Sequence, residues 1–151
     1  MRFENKVLVI TGASSGVGRS ASLMAAEEGA KVYSFARRKE KLEALAEEAK
    51  SLGYKGEIIP VPGDVSKQED VDRLFEKVKS ENDKLDVLIA NAGIMDKFEP
   101  VTHCQEETFD RIFEVNVKGS FRLFKAAIPL MKDGGSIVAT TSIQAVSYTH
   151  L

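Results

Sequence analysis

The chain has 151 residues, 43% of them hydrophobic and 29% charged, enough for one domain with a sizeable core. A formal net charge of −2 offers no basic surface to nucleic acid or to an anionic membrane, and the longest apolar runs, such as VLVI at 7–10, are too short to span a bilayer. The single cysteine, Cys104, cannot close an internal disulfide; with no signal-peptide pattern in MRFENKVLVI, the expected compartment is a reducing cytoplasm.

Apolar runs alternate with helical patterns from the start, with no repeat or linker between them. KVLVIT (6–11) is rich in β-branched residues and predicts a buried strand. Val17, Ala21, Met24 and Ala25 then recur at helical spacing, and Gly29 ends that helix. KVYSFA (31–36) predicts a second strand, followed by a helix with the stripe Leu42, Leu45, Ala46 and Ala49. EIIPVPG (57–63) predicts a third strand; Pro60 and Pro62 suit an edge, where a missing N–H harms no central ladder. Ser66 and Glu69 have capping-box spacing before a helix whose buried stripe is Val71, Leu74, Phe75 and Val78. LDVLIAN (85–91) predicts a fourth strand. Thr102 and Gln105 are candidate caps for a long helix through Phe109, Ile112, Phe113 and Val117, ending near KDGG (132–135). SIVATTS (136–142) predicts a fifth strand.

This alternation predicts an α/β fold, a doubly wound parallel sheet covered on both faces. Ligands of such sheets bind beyond the carboxyl ends of the strands, so the loops after each strand carry the information. After the first strand comes TGASSGVGRS (11–20), with Gly12, Gly16 and Gly18 between strand and helix. Gly12 permits a tight turn, Gly16 lets the backbone approach a pyrophosphate, and Gly18 lets the helix pack close to the strand. The helix start offers free N–H groups and the positive end of its dipole. Ser14, Ser15 and Val17 complete the candidate dinucleotide-binding loop. No Gly-Lys-Ser/Thr follows, which argues against a P-loop.

Asn116 stands out on its own. Phe109, Ile112, Phe113 and Asn116 step at i, i+3, i+4 and i+7, placing an amide on the apolar stripe, where its hydrogen bonds must be met. Two readings stay open on periodicity alone: a core asparagine satisfied by backbone, or an amide that disturbs the helix and holds a water near a site. His103 and Cys104 have no matching ligands nearby and read as surface or packing residues, without a metal site.

The TGxxxGxG spacing resembles that of the short-chain dehydrogenase/reductase family, and the resemblance continues through GDV (63–65), NAG (91–93), NVKG (116–119) and Ser142. It implies a Rossmann-like domain that here stops after the fifth strand. By resemblance, Asp64 and Val65 lie near an adenine, with Asp64 as start of a turn being the plain alternative. Asn91, Ala92 and Gly93 form a scaffolding turn beside the adenine, although the family's usual preceding asparagine is Ala90 here. Asn116 orders a water in a proton relay, which favours the second reading above, and Ser142 is a catalytic serine. The implied activity is hydride transfer between a nicotinamide coenzyme and a ketone or secondary alcohol. The implied partners are a small carbonyl or alcohol substrate and a second copy, since the family often pairs through its fourth and fifth helices.

The residues after the second strand choose the coenzyme. An acid there would hold the ribose hydroxyls of NAD. Instead Ala36 is followed by Arg37 and Arg38, and arginine pairs with a 2′-phosphate. The expectation is NADP, with NAD as the alternative and Arg37 favoured for the phosphate. For Arg38, a solvated place at the start of the second helix is equally open.

The family's Tyr-x-x-x-Lys pair begins about thirteen residues beyond its serine, which from Ser142 lies past Leu151. Tyr148 comes too early, and no lysine follows Lys132. VSYTHL (146–151) matches the translated end of a transposon-based sequencing adapter. Residues 1–145 are therefore expected to be native and incomplete, and 146–151 a read-through tail. Such a piece alone is expected to fold poorly and to be inactive. Two other functions compete: a non-catalytic dinucleotide-binding redox sensor, disfavoured by Asn116 and Ser142, and a nucleotide-sugar epimerase, disfavoured by the three residues between Gly12 and Gly16.

Overall fold

Five strands, β1 (Val7–Thr11), β2 (Lys31–Ala36), β3 (Glu57–Pro62), β4 (Val87–Ala90) and β5 (Ser136–Ala139), pair in parallel in the order β3-β2-β1-β4-β5. The computed structural model describes residues 1–95 and 100–141. Ser142, Tyr148 and the segment VSYTHL lie outside the described residues. Between the strands run α1 (Gly16–Glu27), α2 (Lys39–Ser51) and α3 (Gln68–Glu81). A longer rod links β4 to β5: α4 (Glu106–Ile112), a π-helical segment (Phe113–Lys118) and α5 (Gly119–Ala127).

The alternation of side chains along each strand sorts the core into two layers. Leu8, Ile10 and Val32 face α1 and α2, where they meet Ala25, Ala26, Leu42 and Leu45. Val9, Tyr33 and Phe35 face the other way, against Val71, Leu74, Val78 and Leu123 of α3 and α5. Each central strand is buried on both faces, which is why each reads as a continuous apolar run. β3 is an edge, as Pro60 and Pro62 required. Beyond Glu27, Gly29 at φ +90° closes α1 with a hydrogen bond to Ala26 O, and Ala30 N–H donates to Ala25 O.

The structure corrects three expectations. Val17 and Met24 are exposed, and α1 buries Gly18, Ser22, Ala25 and Ala26 instead. The helix lies close to the sheet and uses its smallest side chains there. Ser22 Oγ donates to Gly18 O at 2.9 Å and accepts from Ser34 Oγ at 3.0 Å, so a polar residue sits on the packing face with its bonds met. Second, neither candidate cap forms. α3 starts after Lys67 and α4 after Gln105, both without a side-chain cap, and the Ser66 hydroxyl donates to Asp64 Oδ1. Third, Phe109, Phe113 and Val117 do not face the core. With Phe121 they form an outward face, each between 47 and 63% exposed, while Val115, Gly119, Leu123 and Ala127 face inward. The π segment takes up extra residue per turn and rotates the rod's faces relative to a uniform 3.6-residue period.

Two charged clusters lie at the amino ends of the strands. Asp86, 8% exposed, accepts from Val7 N–H and from the Lys6 ammonium, both at 3.0 Å, with Lys84 at 3.4 Å. Burial works against its charge, yet the bonds from Val7, Lys6 and Lys84 hold its pKa below the usual aspartate value. The Tyr33 hydroxyl donates to Glu81 Oε2 at 2.6 Å and accepts from Asn82 Nδ2 at 2.7 Å. Hydrogen bonds from Lys77 and then Tyr33 bring the Glu81 pKa down to about 2. Among the described residues, no helix is long and apolar enough to cross a membrane, and no cluster of His, Cys, Asp or Glu could hold a metal ion.

Candidate functional site

The chain runs from β1 outward through β2 to β3, then returns past β1 to β4. The loops diverge at that reversal and leave a cleft of about 250 Å³ at the carboxyl ends of the strands. Its floor is the β1–α1 loop. Gly12, at φ +67°, has no room for a side chain: a Cβ would lie 2.9 Å from Asn91 Nδ2 and 3.0 Å from Ala92 Cα. A Cβ on Gly18 would lie 2.6 Å from Gly12 O. Gly16, at φ +56°, faces open space, so it is a glycine for its backbone angle rather than for packing. Gly12, Ser14 and Ser15 line the cleft; Gly16, Val17 and Gly18 form the first turn of α1 just behind. That turn carries no acidic side chain and no side-chain cap. Its N–H groups and dipole therefore present an uncompensated positive end to an anion.

One end of the cleft is cationic. Arg37 and Arg38 both line it, beyond Ala36 at the end of β2. Arg38 Nη2 donates to Ser14 Oγ at 2.9 Å and to Ser15 Oγ at 3.1 Å. This places a guanidinium across the glycine loop, although Arg38 is also the residue that precedes α2. Asp64 and Val65 line the cleft from the β3 side. Asp64 Oδ1 accepts from Ser66 N–H at 2.9 Å and from Ser66 Oγ at 2.8 Å, the geometry of a turn-starting aspartate. Its own N–H donates to Asp70 Oδ2 at 2.8 Å. Burial opposes the charge on Asp70, but the Asp64 N–H and Arg73 pull its pKa below the usual value.

Asn91, Ala92 and Gly93 line the far wall, and Asn91 acts as a brace. Its Nδ2 donates to Thr11 O at 3.1 Å, and its Oδ1 accepts from Thr140 Oγ1 at 3.1 Å. Thr11 Oγ1 in turn accepts from the N–H groups of Asn91 and Ala92, each at 3.0 Å. The carboxyl ends of β1, β4 and β5 are thus welded by side chains. Sequence reasoning missed Thr11 and Thr140, along with the wall residues Phe35, Gly63, Ile94 and Val115. Gly63 had a signal in the sequence, as the first residue of GDV, and the structure gives its reason: a Cβ there would lie 2.5 Å from the Phe35 ring.

Asn116 lies in the π segment, half-buried. Its Oδ1 accepts from Ile94 N–H and its Nδ2 donates to Ile94 O, both at 2.9 Å. The amide is satisfied by backbone, as the first of the two open readings has it, and the helix around it is π-helical. Asn116 so holds the segment after β4 against the rod.

A parallel α/β sheet with a glycine-turn cleft at its switch point defines a nucleotide-binding fold. The residue set fits a dinucleotide: a helix start lacking acid, an open glycine and a cationic end. The sequence model described as short chain dehydrogenase matches residues 6–150, and the chain belongs to that family of oxidoreductases, which bind nicotinamide coenzymes. An uncharacterized oxidoreductase of Thermotoga maritima is 40% identical over 146 residues, 96% of this chain and 56% of that protein. The structure of L-sorbose reductase from Gluconobacter frateurii, complexed with NADPH and L-sorbose, is 33% identical with a TM-score of 0.89, covering 95% of this chain and 55% of that one. An alcohol dehydrogenase from Thermococcus sibiricus, complexed with 5-hydroxy-NADP, is 36% identical with a TM-score of 0.85, covering 91% of this chain and 58% of that one. The chain thus spans little more than half the length of these relatives.

Proposed function

We propose that the cleft binds NADP(H) in preference to NAD(H), and that the whole protein uses it to reduce a ketone or to oxidise a secondary alcohol. One observation carries the coenzyme choice: Arg38 is anchored on Ser14 and Ser15 beside Arg37, and Ala36 stands where NAD would need an acid. The two guanidinium groups and two hydroxyls supply the donors that a 2′-phosphate requires. The amides at the start of α1 would hold the pyrophosphate. When bound, the coenzyme supplies or accepts the hydride. Asn116 is assigned to the proton relay through its place behind the wall of the cleft, and Ser142 to the substrate oxygen. The NADPH complex of the sorbose reductase and the NADP analogue in the alcohol dehydrogenase support the same coenzyme.

The proton donor is assigned to a Tyr-x-x-x-Lys pair encoded beyond residue 145, with VSYTHL as read-through. A lysine one turn after a tyrosine lowers the phenol's pKa and makes it a usable acid. The 151-residue chain alone is then expected to fold poorly and to give no turnover above background with any ketone. Sequencing the source locus checks this, together with an NADPH oxidation assay. Turnover by the chain itself, or a continuing frame without the pair, overturns it.

For the outward face Phe109–Phe113–Val117–Phe121 we propose a second copy as the partner. The rod begins with Glu106, Glu107 and Asp110, relieved by one Arg111, and after Glu114 continues with Lys118, Arg122 and Lys125. Two copies packed antiparallel about a two-fold axis set unlike charges opposite each other, whereas parallel packing sets like against like. Sedimentation equilibrium is expected to show a dimer that Phe113→Glu converts to monomer; a monomeric wild type overturns the assignment.

A further inference from the structure

We propose that Asp70, with Arg73 beside it, is a positioning residue for the coenzyme, acting through the wall of the cleft at the exit of β3; the inference rests on the coenzyme reading above. Neither side chain lines the cleft. The wall consists of Gly63, Asp64 and Val65, which do line it, as do Ala36 and Arg37 at the exit of β2. The Gly63 N–H donates to Ala36 O at 3.0 Å, so this wall stands next to the start of the arginine pair. β3 is an edge of the sheet, and no further strand holds its exit from the outer side. The first turn of α3 holds it instead.

Asp70 Oδ2 accepts from Asp64 N–H at 2.8 Å, and its Oδ1 accepts from Arg73 Nη2 at 2.8 Å. The same Arg73 nitrogen donates to Pro62 O at 3.2 Å. The two side chains thus grip the backbone on either side of Gly63. Gly63 leaves no slack between them, because a Cβ there would lie 2.5 Å from the Phe35 ring and 3.1 Å from Asp70 Cβ. An acid in the first turn of a helix also suits the helix dipole. Glu69 serves that end from an exposed position, whereas Asp70 is 17% exposed with both oxygens committed. A carboxylate so far from water needs its bonds met, and here they are met by the wall and by the arginine that shares it. A wall fixed before the coenzyme arrives raises affinity, since the ligand does not have to order it. Removing the carboxylate leaves the Asp64 N–H without its acceptor and frees the backbone of residues 62–64, without touching Arg37, Arg38 or the glycine loop.

The test is made on the whole protein, because the 151-residue chain alone is expected to fold poorly, and it reads NADPH affinity from the coenzyme's fluorescence. Asp70→Ala is expected to raise the Kd for NADPH about three- to tenfold, the scale of one neutral hydrogen bond. Asp70→Asn keeps an acceptor for the Asp64 N–H and is expected to stay within about twofold of the wild type. Asp86→Asn, at the amino ends of the strands, is the control: it is expected to lower Tm and leave the Kd unchanged. Arg73→Ala alters an exposed side chain, is expected to raise the Kd about twofold or more, and decides the matter if Asp70→Ala does not fold. An unchanged Kd in Asp70→Ala, or in Arg73→Ala where it stands in, overturns the proposal. So does an equal loss in Asp86→Asn, which means that affinity merely follows stability, and so does an Asp70→Asn variant as weak as Asp70→Ala. A folded wild type that binds no NADPH overturns the coenzyme reading and this inference with it, whereas a wild type that binds NADPH no better than Asp70→Ala does overturns this inference alone.

Discussion

Replacing Arg37 and Arg38 together by alanine is expected to raise the Kd for NADPH about ten- to a hundredfold while leaving NADH within about twofold. A hydrogen bond to a charged group contributes about 1.5–3 kcal/mol, and each 1.4 kcal/mol is tenfold in affinity. Both side chains are exposed, so the lower figure is the most that either supplies. The single variants should differ. Arg38 already donates to the Ser14 and Ser15 hydroxyls, so a phosphate gains from it only the difference between a charged and a neutral acceptor. Arg37→Ala should therefore cost more than Arg38→Ala. NADH lacks the 2′-phosphate and meets neither loss. Isothermal titration at low and high salt checks the mechanism, because the wild type's preference for NADPH should shrink as salt screens the pair and the double variant should show no such trend. Equal losses for the two coenzymes would mean that the arginines hold the loop rather than read the phosphate.

The strands were legible because each is a short apolar run bounded by turn residues, and a parallel sheet buries both faces of such a run. What misled was the assumption that packing faces are large and apolar. α1 packs through Gly18, Ser22, Ala25 and Ala26, so its hydrophobic residues Val17 and Met24 point outward. The rod misled for a different reason: its phenylalanine stripe is apolar at helical spacing yet lies on the surface, and periodicity alone finds an apolar face without saying what covers it. In the cleft, glycines and arginines were readable because they answer to local demands, a positive φ or a charge. Thr11 and Thr140 were not. Each acts on Asn91, which is 80 residues from Thr11 and 49 from Thr140, and a threonine at a strand end carries no mark of a partner so distant.

The largest effect on stability is expected at Asp86, far from the cleft. Removing one member of a fully buried ion pair costs about 3–5 kcal/mol because the other charge is stranded. Here Lys6 and Lys84 are 45 and 40% exposed, so both ammonium groups regain water when the carboxylate goes. What remains is an unmet Val7 N–H and the lost charge-assisted bonds, about 2–3 kcal/mol for Asp86→Ala. That corresponds to a fall in Tm of about 5–10 °C for a chain of this size. Asp86→Asn keeps an acceptor for Val7 and loses only the charge, so its cost should be about half. The pH dependence separates charge from shape. The Asp86 pKa is lowered from 3.8 in the folded chain, so its contribution is complete above that value and is lost as pH falls through the folded pKa. Glu81, lowered from 4.5 to about 2, adds acid sensitivity over the same range, but equally in wild type and variant, so it cancels in the difference. The gap in Tm between wild type and Asp86→Asn should therefore be constant from about pH 5 to 7 and close below about pH 3.8. A gap that persists unchanged in acid would mean that the asparagine fails by shape, and that the carboxylate's charge does not tie β1 to β4.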